Sequence, residues 1–141
     1  MGEPTMLLTL LSRKEKLKFL DLSLHMVAVD GAPSDLERRM LSMQVAEVGE
    51  GIADEYTFAL GEDLSATIAF FNEASQKVRN IVYLNLLKIT MSDQFYNTVE
   101  HHLLEEVREA FSIDMEKKRA LMRIIYSERD LRERAKRVVS R

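Results

Sequence analysis

Two pairs of carboxylates in this chain share one interval. Asp30 and Glu37 lie seven residues apart, and Asp93 and Glu100 repeat the spacing. A hard divalent cation such as Ca²⁺ takes several oxygen ligands. A turn after Asp30 brings it towards the start of the next helix, where Asp35 and Glu37 can add oxygens. The register is not that of an EF-hand loop, because Ala32 and Leu36 occupy positions that need oxygen ligands. The same residues also suit a purely structural part. Gly31 can take the left-handed conformation that ends a helix, Pro33 bars its continuation, and Ser34 with Glu37 forms a capping box. Asp30 can then bond to the free amides of the turn. Capping and cation binding both fit the residues.

Other chemistries find less to work with. Asp21 and His25, His101 and Glu105, and His102 and Glu106 are spaced i, i+4, which places each pair on one helix face. Neither the Glu-x-x-His of di-iron bundles nor the His-Glu-x-x-His of zinc proteases occurs. With no cysteine, a disulfide framework, a thiolate zinc site and a cysteine nucleophile are excluded. There is no Gly-x-Ser-x-Gly elbow, phosphate-binding glycine loop or dinucleotide fingerprint. The expectation is a protein that is not an enzyme.

The elements that must position these residues read as helices. Proline occurs only at Pro4 and Pro33, and neither proline nor glycine occurs from Glu62 to Arg141. Eighty residues without a breaker, rich in Leu, Ala, Glu, Lys and Arg, predict helices joined by polar turns. Ser12 with Glu15 opens the first, which faces inward through Leu17, Leu20, Leu24, Val27 and Ala28. Ser34 with Glu37 opens the second, inward through Met40, Leu41, Val45 and Val48 and stopped by Gly49 and Gly51. A short helix is expected near Asp54–Leu60. Asp63 or Ser65 caps an apolar-rich stretch to about Met91, broken near Asn72–Gln76. Asn97 with Glu100 opens the next, inward through Leu103, Leu104, Val107 and Phe111. Asp114 caps another, with Leu121, Ile124 and Ile125 inward. Ser127 with Asp130 starts a last helix carrying Leu131, Ala135 and Val138. Met26, Met40, Met43, Met115 and Met122 fall at helical apolar spacing and are expected in the core, and Phe70, Phe71, Tyr83, Phe95 and Tyr96 read first as packing.

Placing Asp30 on Asp93 aligns two stretches, each an apolar helix, an Asp, an N-cap four residues later, a Glu at plus seven and a second helix. Leu24 then matches Leu87, Met40 matches Leu103, and Val48 matches Phe111. The pattern predicts two helical hairpins packed face to face. The segment Ala28-Val29-Asp30-Gly31 with Ser34-Asp35-Leu36-Glu37 resembles the TerB-like family, associated with bacterial tellurite resistance and stress or phage responses. With the second Asp…Glu unit the resemblance covers roughly residues 13–126. Val29 stands where that family usually has alanine, and Gln94 where it has glycine. The resemblance implies a compact bundle of about seven helices without established catalytic chemistry. It implies a metal-binding part for Asp30 and Glu37, and for Asp93 and Glu100.

Hydrophobic residues make up 46% and charged residues 30%, which places the chain among globular rather than disordered proteins. The reading is thus an all-α single domain over residues 1–141, with a core at about 13–126 and a basic C-terminal helix at about 127–139. No run approaches the roughly 20 apolar residues of a membrane span, and the N-terminus lacks the basic flank of an export signal. A cytoplasmic location is expected. The net charge of −3 is uneven: residues 114–141 hold 10 Lys/Arg and 5 Asp/Glu, a surplus of +5, against −8 for the remainder. The leading expectation is an interaction or sensor module with a protein partner, binding a divalent cation at the acidic turn; a homodimer also fits. The alternative is a module using the basic C-terminal helix on a nucleic acid or an anionic membrane surface. Of these, nucleic acid is the less expected, because Glu128, Asp130 and Glu133 interrupt the basic run.

Overall fold

The computed structural model describes residues 7–28, 35–49, 51–52, 63–91 and 98–141, and these are helical with no strand among them. A 3-10 turn at Leu8–Leu10 precedes α1 (Arg13–Ala28), α2 (Asp35–Val48), α3 (Leu64–Asn72), α4 (Gln76–Met91), α5 (Thr98–Ala110) and α6 (Met115–Val139). The expected short helix at Asp54–Leu60 lies outside the described residues.

Local chemistry sets most of the helix ends. At the start of α1, Ser12 N–H donates to Glu15 Oε1 at 2.8 Å and Glu15 N–H donates to Ser12 Oγ at 3.2 Å. That is the reciprocal capping box expected there. Asp63 accepts from Ala66 N–H at 2.8 Å to begin α3, Ser75 Oγ from Val78 N–H at 3.2 Å at the start of α4, and Asp114 from Lys117 N–H at 2.7 Å for α6. Gly49, at φ 115°, ends α2 in a backbone region that side chains resist. Between α5 and α6 the chain turns without a glycine. Ser112 takes φ 58°, and Ile113 N–H reaches back to Arg108 O at 3.1 Å.

Helix α4 is the axis of the bundle. Every residue from Ile81 to Thr90 is buried, so this helix is enclosed on all sides. Two of its polar members bond back along the helix: Asn85 Nδ2 donates to Ile81 O at 2.9 Å, and Thr90 Oγ1 donates to Leu86 O at 3.1 Å. Helix α1 packs on α2, α3, α4 and α5. Phe71 and Phe111, both fully buried, meet edge to face with centroids 5.9 Å apart. Positions paired by the sequence repeat share this core: Leu24 packs beside it and Leu87 within it, and Val48 and Phe111 are both buried.

The hairpins α1–α2 and α4–α5 pack against each other. Val27, Leu41 and Ile89 form one small apolar cluster. The C-terminal ends of α1 and α4 therefore meet, with the first half of α2, at one end of the bundle. At the opposite end Gln76 Nε2, at the start of α4, donates to Phe111 O at 3.0 Å just past α5. Helix α6 begins there and runs alongside α4.

Candidate functional site

The sequence directs attention first to the acidic turns. Asp30 and Asp93 lie outside the described residues, and Glu37 falls in the first turn of α2. Glu100, in the first turn of α5, is almost fully buried. The helix ends that lead into both turns, Ala28 of α1 and Met91 of α4, close the same end of the bundle through the Val27–Leu41–Ile89 cluster. Among the described residues no three His, Asp or Glu side chains converge as a metal-ligand set. His101 and His102 stand with ring centroids 6.1 Å apart, His101 half-buried and His102 exposed.

Helix α6 carries the other charge-bearing surface, and its course corrects the sequence reading. It runs unbroken through Ser127 for 25 residues, where two helices were expected. Ser127 with Asp130 resembles a helix start, but no glycine or proline follows to break the helix, and Ser127 is an exposed interior position. Continuity fixes the rotation. Successive residues on a helix differ by about 100°, and α6 meets the bundle through a face narrow enough to admit one of Ile124 and Ile125. Ile125 enters the core and Ile124 is 46% exposed. Met43 and Met115, expected in the core, are likewise exposed, whereas Met26 is fully buried and Met122 packs beside the core.

Three polar anchors hold α6. Lys118 Nζ reaches Glu105 on α5 at 2.8 Å, and Arg108 donates to the same carboxylate through Nε at 3.1 Å. Burial pushes the Glu105 carboxyl up, but the hydrogen bonds from Arg108 and Lys118 outweigh it and hold the group below the ordinary carboxylate range. Further along, Lys88 of α4 donates to both oxygens of Glu128 at 2.9 and 3.0 Å. The two side chains are 4% and 9% exposed, a buried ion pair, with Arg132 at 3.8 Å on its outer side. Arg129 Nη2 then donates to Met91 O at 2.7 Å, satisfying a terminal carbonyl of α4. Sequence reading missed the Lys88–Glu128 pair. Its signal was a lone lysine inside the apolar run Ile81–Ile89.

Beyond Arg129 the helix leaves the bundle. From Arg129 to Arg141 every residue is exposed except Ala135, which is half-buried. Among the described residues, the ion pairs there stay within the helix, as in Lys136–Glu133 at 3.2 Å and Arg132–Glu128. Residues 129–141 hold six Lys/Arg and two Asp/Glu, a surplus of +4. Leu131, Val138 and Val139 are exposed in this segment. Ile124, Leu131 and Val138 follow at intervals of seven and fall within about 40° of one another around the axis. Ile125, which faces the core, lies about 120° away from Leu131 on the same projection.

The fold and this surface define an all-α bundle built on one enclosed helix, with a basic amphipathic helix running past its end. No family model matches the chain, and neither a curated protein nor a solved structure matches it. Among the described residues no helix is long and apolar enough to cross a membrane.

Proposed function

We propose that this chain is a non-enzymatic interaction module whose docking element is the projecting end of α6. The observation that carries this reading is the exposed apolar stripe Ile124, Leu131 and Val138 on a helix with a +4 surplus in its last 13 residues. Large apolar side chains left 46–64% exposed along one face of a helix mark a surface that something else covers. The anchors at Lys118, Glu128 and Arg129 fix the direction in which that surface points. The test is the diffusion of a fluorescently tagged full chain in its source cells. The Leu131→Glu/Val138→Glu variant is expected to diffuse markedly faster than the unsubstituted protein, with an unchanged melting temperature. Equal diffusion would overturn the reading.

A second reading concerns the acidic turns, and the burial of Glu100 favours it. A carboxylate at the first turn of α5 that is 2% exposed needs hydrogen-bonding or charged partners for its oxygens, and a divalent cation is one group that suits it. On this reading Asp30, Glu37, Asp93 and Glu100 supply oxygens to a divalent cation, as the TerB-like resemblance implies. Calorimetric titration of the metal-stripped protein with Ca²⁺, Mg²⁺, Mn²⁺ and Zn²⁺ is then expected to give saturable heat that is lost in Asp30→Asn. No heat at millimolar cation leaves these residues as helix caps.

A further inference from the structure

We propose that the end of α6 docks on an anionic lipid bilayer, lying in the interface with Ile124, Leu131 and Val138 turned into the acyl boundary and its arginines among the headgroups. The inference rests on the reading of α6 as the docking element and names what it docks on.

Charge selects an anionic partner. The last 13 residues carry +4, while residues 1–113 carry 10 Lys/Arg against 18 Asp/Glu, or −8. The acidic body repels the same surface that attracts the tail. Orientation eases the conflict: the stripe lies about 100–140° around the axis from the core-facing Ile125, so the bundle sits across a helix roughly 10 Å wide from the surface it meets. That is about one screening length at 0.1 M salt. The body's repulsion is therefore attenuated, while the tail's own charges lie at the surface.

Shape and polarity select the bilayer among anionic partners. The stripe is convex, on a single helix, and points well away from the core-facing Ile125. A planar, deformable interface accommodates such a helix along its length. Low overall hydrophobicity with a clear apolar stripe and a Lys/Arg-rich polar face is the pattern of helices that lie in that plane. The arginine stems can cover apolar surface while their guanidinium groups reach the phosphates. A nucleic acid would satisfy Arg134, Arg137 and Arg141 but leave Leu131, Val138 and Val139 in water. A second copy would bring one +4 tail against another.

The chain contains no tryptophan, so Leu131→Trp gives a single indole reporter in the full-length protein. Vesicles of equal parts phosphatidylglycerol and phosphatidylcholine are expected to shift its emission to the blue. Vesicles of phosphatidylcholine alone, and duplex DNA, are expected to leave it unchanged. Each basic residue near an anionic surface strengthens binding by roughly fivefold, so the mixed vesicles should bind at least about tenfold more tightly than the neutral ones. Sedimentation with mixed vesicles should be lost in Leu131→Glu/Val138→Glu and in Arg134→Glu/Arg137→Glu. It should be kept in Arg39→Glu, an exposed cation on α2, and weakened by NaCl near 1 M, where the screening length is about 3 Å. Absence of a blue shift on mixed vesicles, an equal shift on neutral vesicles, or full binding by the Leu131→Glu/Val138→Glu variant would each overturn the proposal. Failure on vesicles with slowed diffusion in cells would refute the lipid and leave the interaction module standing. Failure of both assays would remove both.

Discussion

Removing the amine of Lys88 should be among the most damaging single changes to this protein. Its Nζ lies 2.9 Å from Glu128 Oε1, and the side chains are only 4% and 9% exposed. At that separation the attraction is about 6 kcal/mol for an effective dielectric constant of 20. Much of it goes to offset the cost of taking both charges out of water. The pair as a whole therefore contributes little net stability, but breaking it leaves Glu128 buried with only Arg132, at 3.8 Å and half in solvent. Loss of one partner of such a pair typically costs about 3–5 kcal/mol. The presence of Arg132 puts Lys88→Met at the lower end, about 3 kcal/mol. For a chain of this length that lowers the melting temperature by about 10 °C. The double variant Lys88→Met/Glu128→Leu removes both charges and should recover to within about 1 kcal/mol of the unsubstituted protein, or exceed it. Urea denaturation followed by circular dichroism on all four proteins gives the coupling energy directly. A cost below about 1 kcal/mol for Lys88→Met, or a double variant that loses the sum of the two singles, would refute the reasoning.

Glu105 gives a pH-dependent test. Its folded carboxyl sits below the ordinary value of 4.5, so its contribution is present above that value and is lost as the pH falls through the lower folded value. Denaturation midpoints of Glu105→Gln should lie below those of the unsubstituted protein at pH 6 and converge with them on acidification; a constant gap would count against the Arg108–Glu105–Lys118 network. Ser112→Gly should stabilise the protein by about 0.5–1 kcal/mol in thermal denaturation, because Ser112 holds a left-handed backbone that glycine adopts without steric cost. Phe71→Ala should destabilise by about 3–5 kcal/mol, since it empties a fully buried site against Phe111.

What the sequence revealed depended on how far the deciding interaction lay along the chain. Ser12 with Glu15, Asp63 and Asp114 announce their helices because the donor and acceptor are three residues apart, and the structure forms each of those bonds. The break at Asn72–Gln76 was legible for the same reason: the apolar face lapses there, and α3 ends at Asn72 while α4 begins at Gln76. Enclosure of α4 was foreshadowed by its apolar run. The course of α6 was not legible, because Ser127 with Asp130 mimics a cap when read alone. Ile125 and Glu128 lie three residues apart on the face turned to the bundle, and Glu128 there meets Lys88, a partner 40 residues away that no local pattern reveals. Of the acidic positions, the sequence pairing of Glu37 with Glu100 places both in first turns, of α2 and α5. Their matching spacing says nothing of burial, which at Glu100 depends on the tertiary packing around it.

The anchors of α6 have a mechanical consequence. Lys88–Glu128 and Arg129–Met91 clamp the helix within two consecutive residues, and the last ten helical residues run on past the clamp. The stretch past the clamp acts as a cantilever: a load applied at Val139 acts through an arm of about 16 Å, at 1.5 Å per residue, upon Glu128. Torque on the tail is thus delivered to the Arg129–Met91 bond and, one residue further in, to the buried Lys88–Glu128 pair near the end of the bundle's axial helix. A pull that the exposed helix transmits without unwinding is felt where the interior has a charge to lose.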